Sequence, residues 1–170
     1  MRLIRLDNNI GRGTIAKVNA LMAASDDISH CDHDSVGNLD ADVSFDNKYF
    51  DRLLNCFQLN PTLVIASGLM YEKRGTYFRP RMSNSITSVA YAAHLVRRQC
   101  HPEIGGYIAL EHGGENWYAE TRARSKGWHV RAFPELKVMH HRATGGADSP
   151  LLHHFRAGKM DFSVGSHPAF

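Results

Sequence analysis

At 170 residues the chain suits one domain better than two, and roughly two-thirds of the unfolded chain's surface can be buried at that size, enough for a core without disulfide or metal staples. A composition of 43% hydrophobic and 22% charged residues excludes disordered, collagen-like and coiled-coil classes. Twenty Lys and Arg against seventeen Asp and Glu give +3 with the histidines neutral, too weak and too scattered for a nucleic-acid footprint, which needs a concentrated basic face.

The first dozen residues, containing Asp7-Asn8-Asn9-Ile10-Gly11-Arg12-Gly13, read as a loop. Ile15, Val18, Leu21 and Met22 at helical spacing predict a helix over residues 14–24, ended by Asp26 and Asp27. Residues 35–39 predict a short strand that leads into Asp40-Ala41-Asp42-Val43-Ser44-Phe45. Phe50, Leu53, Leu54 and Phe57 form an i, i+3, i+4, i+7 helix stripe, with Asp46 as N-cap and Pro61 beyond the end. Leu63-Val64-Ile65-Ala66 reads as a buried strand. Residues 72–86 read as a loop, residues 89–100 as strand or helix, and residues 104–107 as a turn. A helix over residues 115–126 closes on Gly127. Residues 128–133 and 136–140 are strand candidates on either side of Pro134, and residues 151–157 predict a last helix. Strands alternating with helices point to an α/β domain. The longest apolar run, residues 63–71, is far too short to cross a bilayer, and no apolar core follows Met1-Arg2-Leu3-Ile4-Arg5 as a signal peptide requires. Cys31, Cys56 and Cys100 are odd in number and widely spaced, which implies neither a disulfide framework nor a C-x-x-C site and fits a reducing compartment.

Several residues could carry chemistry. Asp40 and Asp42 sit two apart just after a predicted strand. On extended backbone such side chains share a face, and two carboxylates so placed can hold a hard divalent cation, Mg2+ or Mn2+, at the strand end where open α/β sheets bind ligands. The plain alternative is a solvated turn. His140 and His141, with Arg142 next, follow another predicted strand; they could serve the same cation or a cation-bound diphosphate, or form an edge pair with no special role. His30, Cys31, Asp32 and His33 match no spacing of a tetrahedral zinc site, and His153 and His154 fall on a predicted helix. Glu115 opens a helix directly after Gly113-Gly114, either as a first-turn acid favoured by the helix dipole or as a general base where a glycine loop leaves room for substrate. Trp117 could stack on a sugar face or fill the core.

In order and spacing over about 150 residues, these segments resemble the family 2 glycosyltransferases of the GT-A fold. Asn9-Ile10-Gly11 through Ala16-Lys17-Val18-Asn19-Ala20 is similar to the family's Gly-rich loop and the helix after it. Residues 37–45 are similar to its strand and Asp-x-Asp motif. Tyr49-Phe50 with Leu53-Leu54, and Pro61 through Gly68, match the next helix and strand. Arg97-Arg98 with Ile104-Gly105-Gly106-Tyr107 resembles the segment before the acceptor site. Gly113-Gly114-Glu115-Asn116-Trp117 resembles the Glu-Asp motif, and Val138-Met139-His140-His141-Arg142 with Thr144-Gly145 the closing His motif. The resemblance implies a single partial GT-A-like domain over residues 1–170, a mixed sheet flanked by helices. It also implies transfer of a sugar from a nucleoside-diphosphate-sugar donor to a glycan or lipid-linked acceptor, with inversion. Carried over, Asp40, Asp42 and His140 would hold Mg2+ or Mn2+, and Gly11, Lys17, Asp40 and Arg142 would bind the donor diphosphate. Glu115 and Asn116 would stand at the catalytic position, and Gly114, Trp117 and His141 would line the acceptor site.

Three departures accompany the likeness. The family's opening strand and the segment that cradles the nucleotide base have no counterpart, which implies N-terminal truncation. The usual catalytic Asp is Asn116, whose amide cannot take a proton at neutral pH. A glycine ahead of the Arg-Arg pair is Tyr91. They give a second reading, a non-catalytic remnant that binds carbohydrate or a partner chain; a metal-dependent hydrolase using the same Asp and His residues is a third. The expected partners include no nucleic acid and no membrane span, with self-association through an unpaired sheet edge. The expected place is the cytoplasm, with a peripheral position at the inner membrane face implied by the family.

Overall fold

A computed structural model describes residues 14–106, 108, 110 and 114–142. Helix α1 (Thr14–Ser29) leads to β1 (Ser35–Leu39), β2 (Val43–Phe45), α2 (Tyr49–Leu59), β3 (Leu63–Arg74) and β4 (Tyr77–Pro80). Then come β5 (Ala93–Arg97), the single turn α3 (Cys100–Glu103), α4 (Glu115–Ser125) and β6 (His129–His140). The fold is α/β, with a mixed six-stranded sheet in the order β1-β5-β3-β6-β2 and β4 paired to β3. β3 runs parallel to β6, and the other pairings are antiparallel. The outer edge of β1 has no strand partner among the described residues. No described helix is long and apolar enough to cross a membrane. The loop expected over the first dozen residues and the helix expected over residues 151–157 lie outside the described residues.

Helices cover both faces. Tyr49, Leu53 and Phe57 of α2 pack on Leu63, Ala66 and Met70 of β3, Leu95 of β5 and Phe133 and Val138 of β6. On the opposite face Leu21 of α1, Cys100 of α3 and Ala119 and Ala123 of α4 pack on Val64, Ile65, Val96 and Val130. Val64 is an extra residue in the β3 register, between Leu63 opposite His129 and Ile65 opposite Val130. This bulge turns two successive side chains to one cluster.

The sheet cannot be flat. β1 and β2 lie at opposite ends of the strand order, four strand spacings or roughly 19 Å apart in a flat sheet. The connection through residues 40–42 reaches about 14 Å at most. The sheet therefore coils until its edges approach, and the turn 40–42 sits where they meet.

Several elements differ from expectation. Helix α1 continues through Asp26 and Asp27 to Ser29. The buried stripe of α2 is Tyr49, Leu53 and Phe57, with Leu54 turned outward. Its N-cap is Lys48, and Asp46 acts two residues earlier by accepting from the Lys48 N–H at 2.9 Å. Residues 72–86 are not all loop: β3 runs on to Arg74 and returns as β4. Gly75, at φ +62°, takes the first position of the two-residue turn, which suits a II′ hairpin. Residues 89–100 resolve into β5 and the start of α3. The two candidates form one strand over residues 129–140: Phe133 pairs with Gly68 and Lys137 with Leu69, so residues 134–136 bulge out where Pro134 has no N–H for the ladder.

Tyr49 locks α2 to the sheet. Its buried hydroxyl donates to the Ala93 carbonyl at 2.8 Å and accepts from the Gly68 N–H at 2.7 Å. Tyr49→Phe leaves both backbone groups without this partner and is expected to cost about 2–3 kcal/mol in urea unfolding. Burial pushes the Tyr49 pKa from 10.0 up to about 12. The folded state keeps a proton that the unfolded chain releases, so this contribution is complete below pH 10 and is lost as pH rises through 12. Stability measured from pH 9 to 12 should fall less steeply in Tyr49→Phe than in the natural chain.

Candidate functional site

Asp40 and Asp42 stand in the turn between β1 and β2 rather than on extended backbone, so spacing alone does not put them on one face. Asp42 Oδ1 lies 3.3 Å from His140 Nε2, and Oδ2 lies 3.5 Å from Arg142 Nε. The β2–β6 register makes this meeting: Val43 is opposite His140, and the His141 N–H donates to the Asp42 carbonyl at 2.9 Å. His141 turns elsewhere, with Nε2 at 2.7 Å from Ser44 Oγ and its ring edge-on to Phe78 at 5.3 Å.

Asp40 has different neighbours. Its N–H donates to the Ala92 carbonyl at 2.8 Å, which sets it beside Tyr91. Burial pushes the Tyr91 hydroxyl far above its ordinary pKa, and the carboxylates of Glu115 and then Asp40 raise it further. The segment 89–92 lies between the aspartate turn and the start of α4: its Ala92 carbonyl accepts from the Asp40 N–H and its Val89 carbonyl from the Asn116 amide. The Tyr91 carbonyl accepts from Asn38 Nδ2 and lies 3.2 Å from Nδ1 of the fully buried His94, whose ring stacks on that of Tyr91.

Glu115 opens α4 and is 2% exposed; the Leu110 N–H approaches its Oε1 at 3.4 Å. Gly114 precedes it at φ +98°, a backbone that glycine adopts without a Cβ penalty. Asn116 donates its amide to the Val89 carbonyl at 3.1 Å and to Glu120 Oε1 at 2.8 Å. Trp117 is 42% exposed and does not fill the core. Gly11 lies outside the described residues, and of Lys17 only its place in α1 is described.

Among the described residues no group of three or more His, Cys, Asp and Glu side chains converges as a metal site. Asp42 could supply one carboxylate, and a Mg2+ or Mn2+ ion commonly binds through one or two carboxylates and fills its shell with water and substrate phosphate; the His140 imidazole is a softer group and here faces Asp42 Oδ1. Two cavities flank β1 further down the sheet. One of about 640 Å³ lies between Asp32–Ser35, Leu54 and Arg97–Arg98. The other, of about 600 Å³, lies between α1 and the sheet, lined in part by Asn38, His94, Arg98 and His101. Neither is lined by Asp40, Asp42, Glu115 or His140. Burial, and then the charge of His33, hold the His101 pKa down.

Glu120 organises this region but carried no signal as a site residue. It is fully buried, and its Oε1 accepts from Ser88 Oγ at 3.0 Å, the Val89 N–H at 2.9 Å and the Asn116 amide at 2.8 Å. Its Oε2 pairs with Arg124 at 3.1 Å. The i, i+4 spacing of Glu120 and Arg124 is the trace it leaves in the sequence.

No family model and no curated protein matches the chain. Among solved structures, the crystal structure of A197 from STIV is similar over 74% of this chain and 67% of that one, at 15% identity and a TM-score of 0.49.

Proposed function

We propose that the chain is a glycosyltransferase domain similar to family 2 and of the GT-A type. It would bind a nucleoside-diphosphate sugar at the 40–42 turn and the end of β6, and pass the sugar to an acceptor hydroxyl with inversion. The observation that carries this reading is the meeting of Asp42 with His140 and Arg142 at the coiled end of the sheet. A carboxylate, an imidazole and a guanidinium together suit a diphosphate that arrives with a cation. When bound, Mg2+ or Mn2+ would offset the charge on the departing diphosphate. Arg142, whose side chain is 83% exposed, has room to turn from Asp42 to diphosphate oxygens. Glu115 would take the acceptor's proton, and Gly114, His141 and the exposed face of Trp117 would border the acceptor.

A second reading, a remnant that binds without transferring, draws on Asn116 and Glu115. The Asn116 amide is committed to Val89 and Glu120, and Glu115 is almost closed to solvent. Calorimetric titration with uridine, guanosine, adenosine and cytidine diphosphates, with and without Mn2+, tests the site. Mn2+-dependent binding of one of them is expected, at least about tenfold weaker in Asp40→Ala/Asp42→Ala. No binding by folded protein would contradict the donor site. Binding with sugar release or transfer that Glu115→Gln abolishes favours the enzyme, and binding with no turnover favours the remnant.

A further inference from the structure

The sheet face beneath α1 is mixed in character. Side chains two apart on a strand share a face, so β5 presents His94 and Val96 there and, one step past its end, Arg98. The register sets Asn38 opposite His94 and Val36 opposite Val96 on the neighbouring β1. The Arg98 N–H carries the pairing one step further by donating to the Asp34 carbonyl at 2.9 Å. A fully buried histidine, a buried amide and a guanidinium thus stand where a covered face ordinarily holds apolar side chains. Helix α1 does not close on this face, and the cavity of about 600 Å³ lies between them.

The cavity has an apolar stretch and a basic end. Leu21, Ala24 and Ile28, at i, i+3 and i+7 of α1, face Val36 and Val96 across it. The three helix residues and Val36 are only half-buried, so an apolar body placed among them would remove further area from water. At the basic end the His101 N–H donates to the Arg98 carbonyl at 3.2 Å, and Arg98 Nη1 donates to the His33 carbonyl at 3.4 Å. His33 Nδ1 donates to the Cys31 carbonyl at 2.8 Å, which fixes its ring. No acidic side chain is among the described residues that line the cavity. Asp32, which pairs with Arg98 at 3.3 Å, is fully exposed and outside the lining, so it holds the guanidinium only weakly. From Arg98 to His94 is four residues of strand, about 13 Å, and at that far end Asn38 Nδ2 and His94 Nδ1 both meet the Tyr91 carbonyl.

We propose that this cavity binds a small organic acid with an apolar body. The carboxylate sits at Arg98, His33 and His101, and the body lies along Val96 under the Leu21, Ala24 and Ile28 face of α1. Charge complementarity selects the head: a guanidinium offers parallel N–H groups to the two oxygens of a carboxylate, imidazoles add donors beside it, and no lining carboxylate opposes it. The volume falls within the roughly 300–1,000 Å³ of pockets that enclose small molecules, whose usual make-up is an apolar lining with a few converging polar groups. The inference stands apart from the glycosyl-transfer reading, because Asp40, Asp42, Glu115 and His140 do not line this cavity.

The test is fluorescence titration of the full chain with anilinonaphthalene sulfonate, an apolar dye with one anionic head, followed by competition. One saturable site per chain is expected. Phenylpropionate should displace the dye at least about tenfold better than phenylpropanol, its uncharged counterpart, and acetate, a head without a body, should leave the dye in place. Arg98→Gln should weaken binding of dye and acid at least about tenfold. Ala24→Trp, which fills the cavity from the helix side, should remove the site, and both variants should keep the circular dichroism spectrum of the natural chain. Absence of a saturable site, equal displacement by the acid and the alcohol, or variants that bind like the natural chain would overturn the proposal. So would displacement by uridine diphosphate with Mn2+, which would give the cavity to the nucleotide.

Discussion

Glu120→Ala is expected to destabilise the protein by about 3–5 kcal/mol. The change removes a fully buried carboxylate that accepts from the Ser88 hydroxyl, the Val89 N–H and the Asn116 amide and pairs with Arg124. Burying those donors without an acceptor is the dominant cost; the ion pair adds less, because Arg124 is partly exposed to solvent. Glu120→Gln keeps an acceptor for Val89 but sets an amide against Arg124, and roughly half the loss is expected. Urea unfolding followed by circular dichroism measures both, with an unchanged m-value marking a true stability change. Since Asn116 is oriented by Glu120, nucleotide binding should weaken in Glu120→Gln only if the start of α4 contributes to the site.

Gly68→Ala is expected to cost about 3 kcal/mol or more, beyond the ordinary price of an added methyl. A Cβ on Gly68 would overlap the Leu136 carbonyl group, in the bulge that Pro134 opens in β6. Backbone, not a flexible side chain, stands in the way, so relief requires moving β6 against β3. The Gly68 N–H, held by Tyr49, would move with it. Gly127→Ala is the control: its φ of +82° strains a side chain, but nothing lies within 4 Å of the added atom. About 1–2 kcal/mol is expected there. Equal losses at the two positions would contradict the packing argument.

Much of the frame was legible because it rests on local patterns. Residues 35–39, the helix before Pro61, the buried run at Leu63 and the Gly127 helix end all follow from periodicity and turn chemistry. The hairpin was missed because its strands carry Lys73, Arg74 and Arg79, residues chosen for an exposed edge and not for a buried face. The α2 stripe kept Leu53 and Phe57 but gained Tyr49 and lost Leu54, because Tyr49, polar at its tip, is held by two backbone bonds that no periodicity reveals. The same holds at the site. Sequence order could single out Asp42 and His140, but only the β2–β6 register brings them together. The i, i+2 argument for Asp40 and Asp42 assumed extended chain where the sheet's coiling demands a turn. Glu120, one acid on a helix without an apolar stripe, offered only its spacing to Arg124.

The central claim is that the turn 40–42, the start of α4 and the end of β6 form one ligand site. Paramagnetic broadening by Mn2+ tests it most directly, read on the backbone amides of isotope-labelled protein in the presence of a nucleoside diphosphate. The signals of Asp42, Val43, His140 and His141 are expected to broaden first, then those of Asp40, Tyr91 and Glu115, and Asp42→Ala should restore them. Broadening centred on His33, Arg98 and His101 beside the β1 cavities, or spread evenly over the surface, would contradict it.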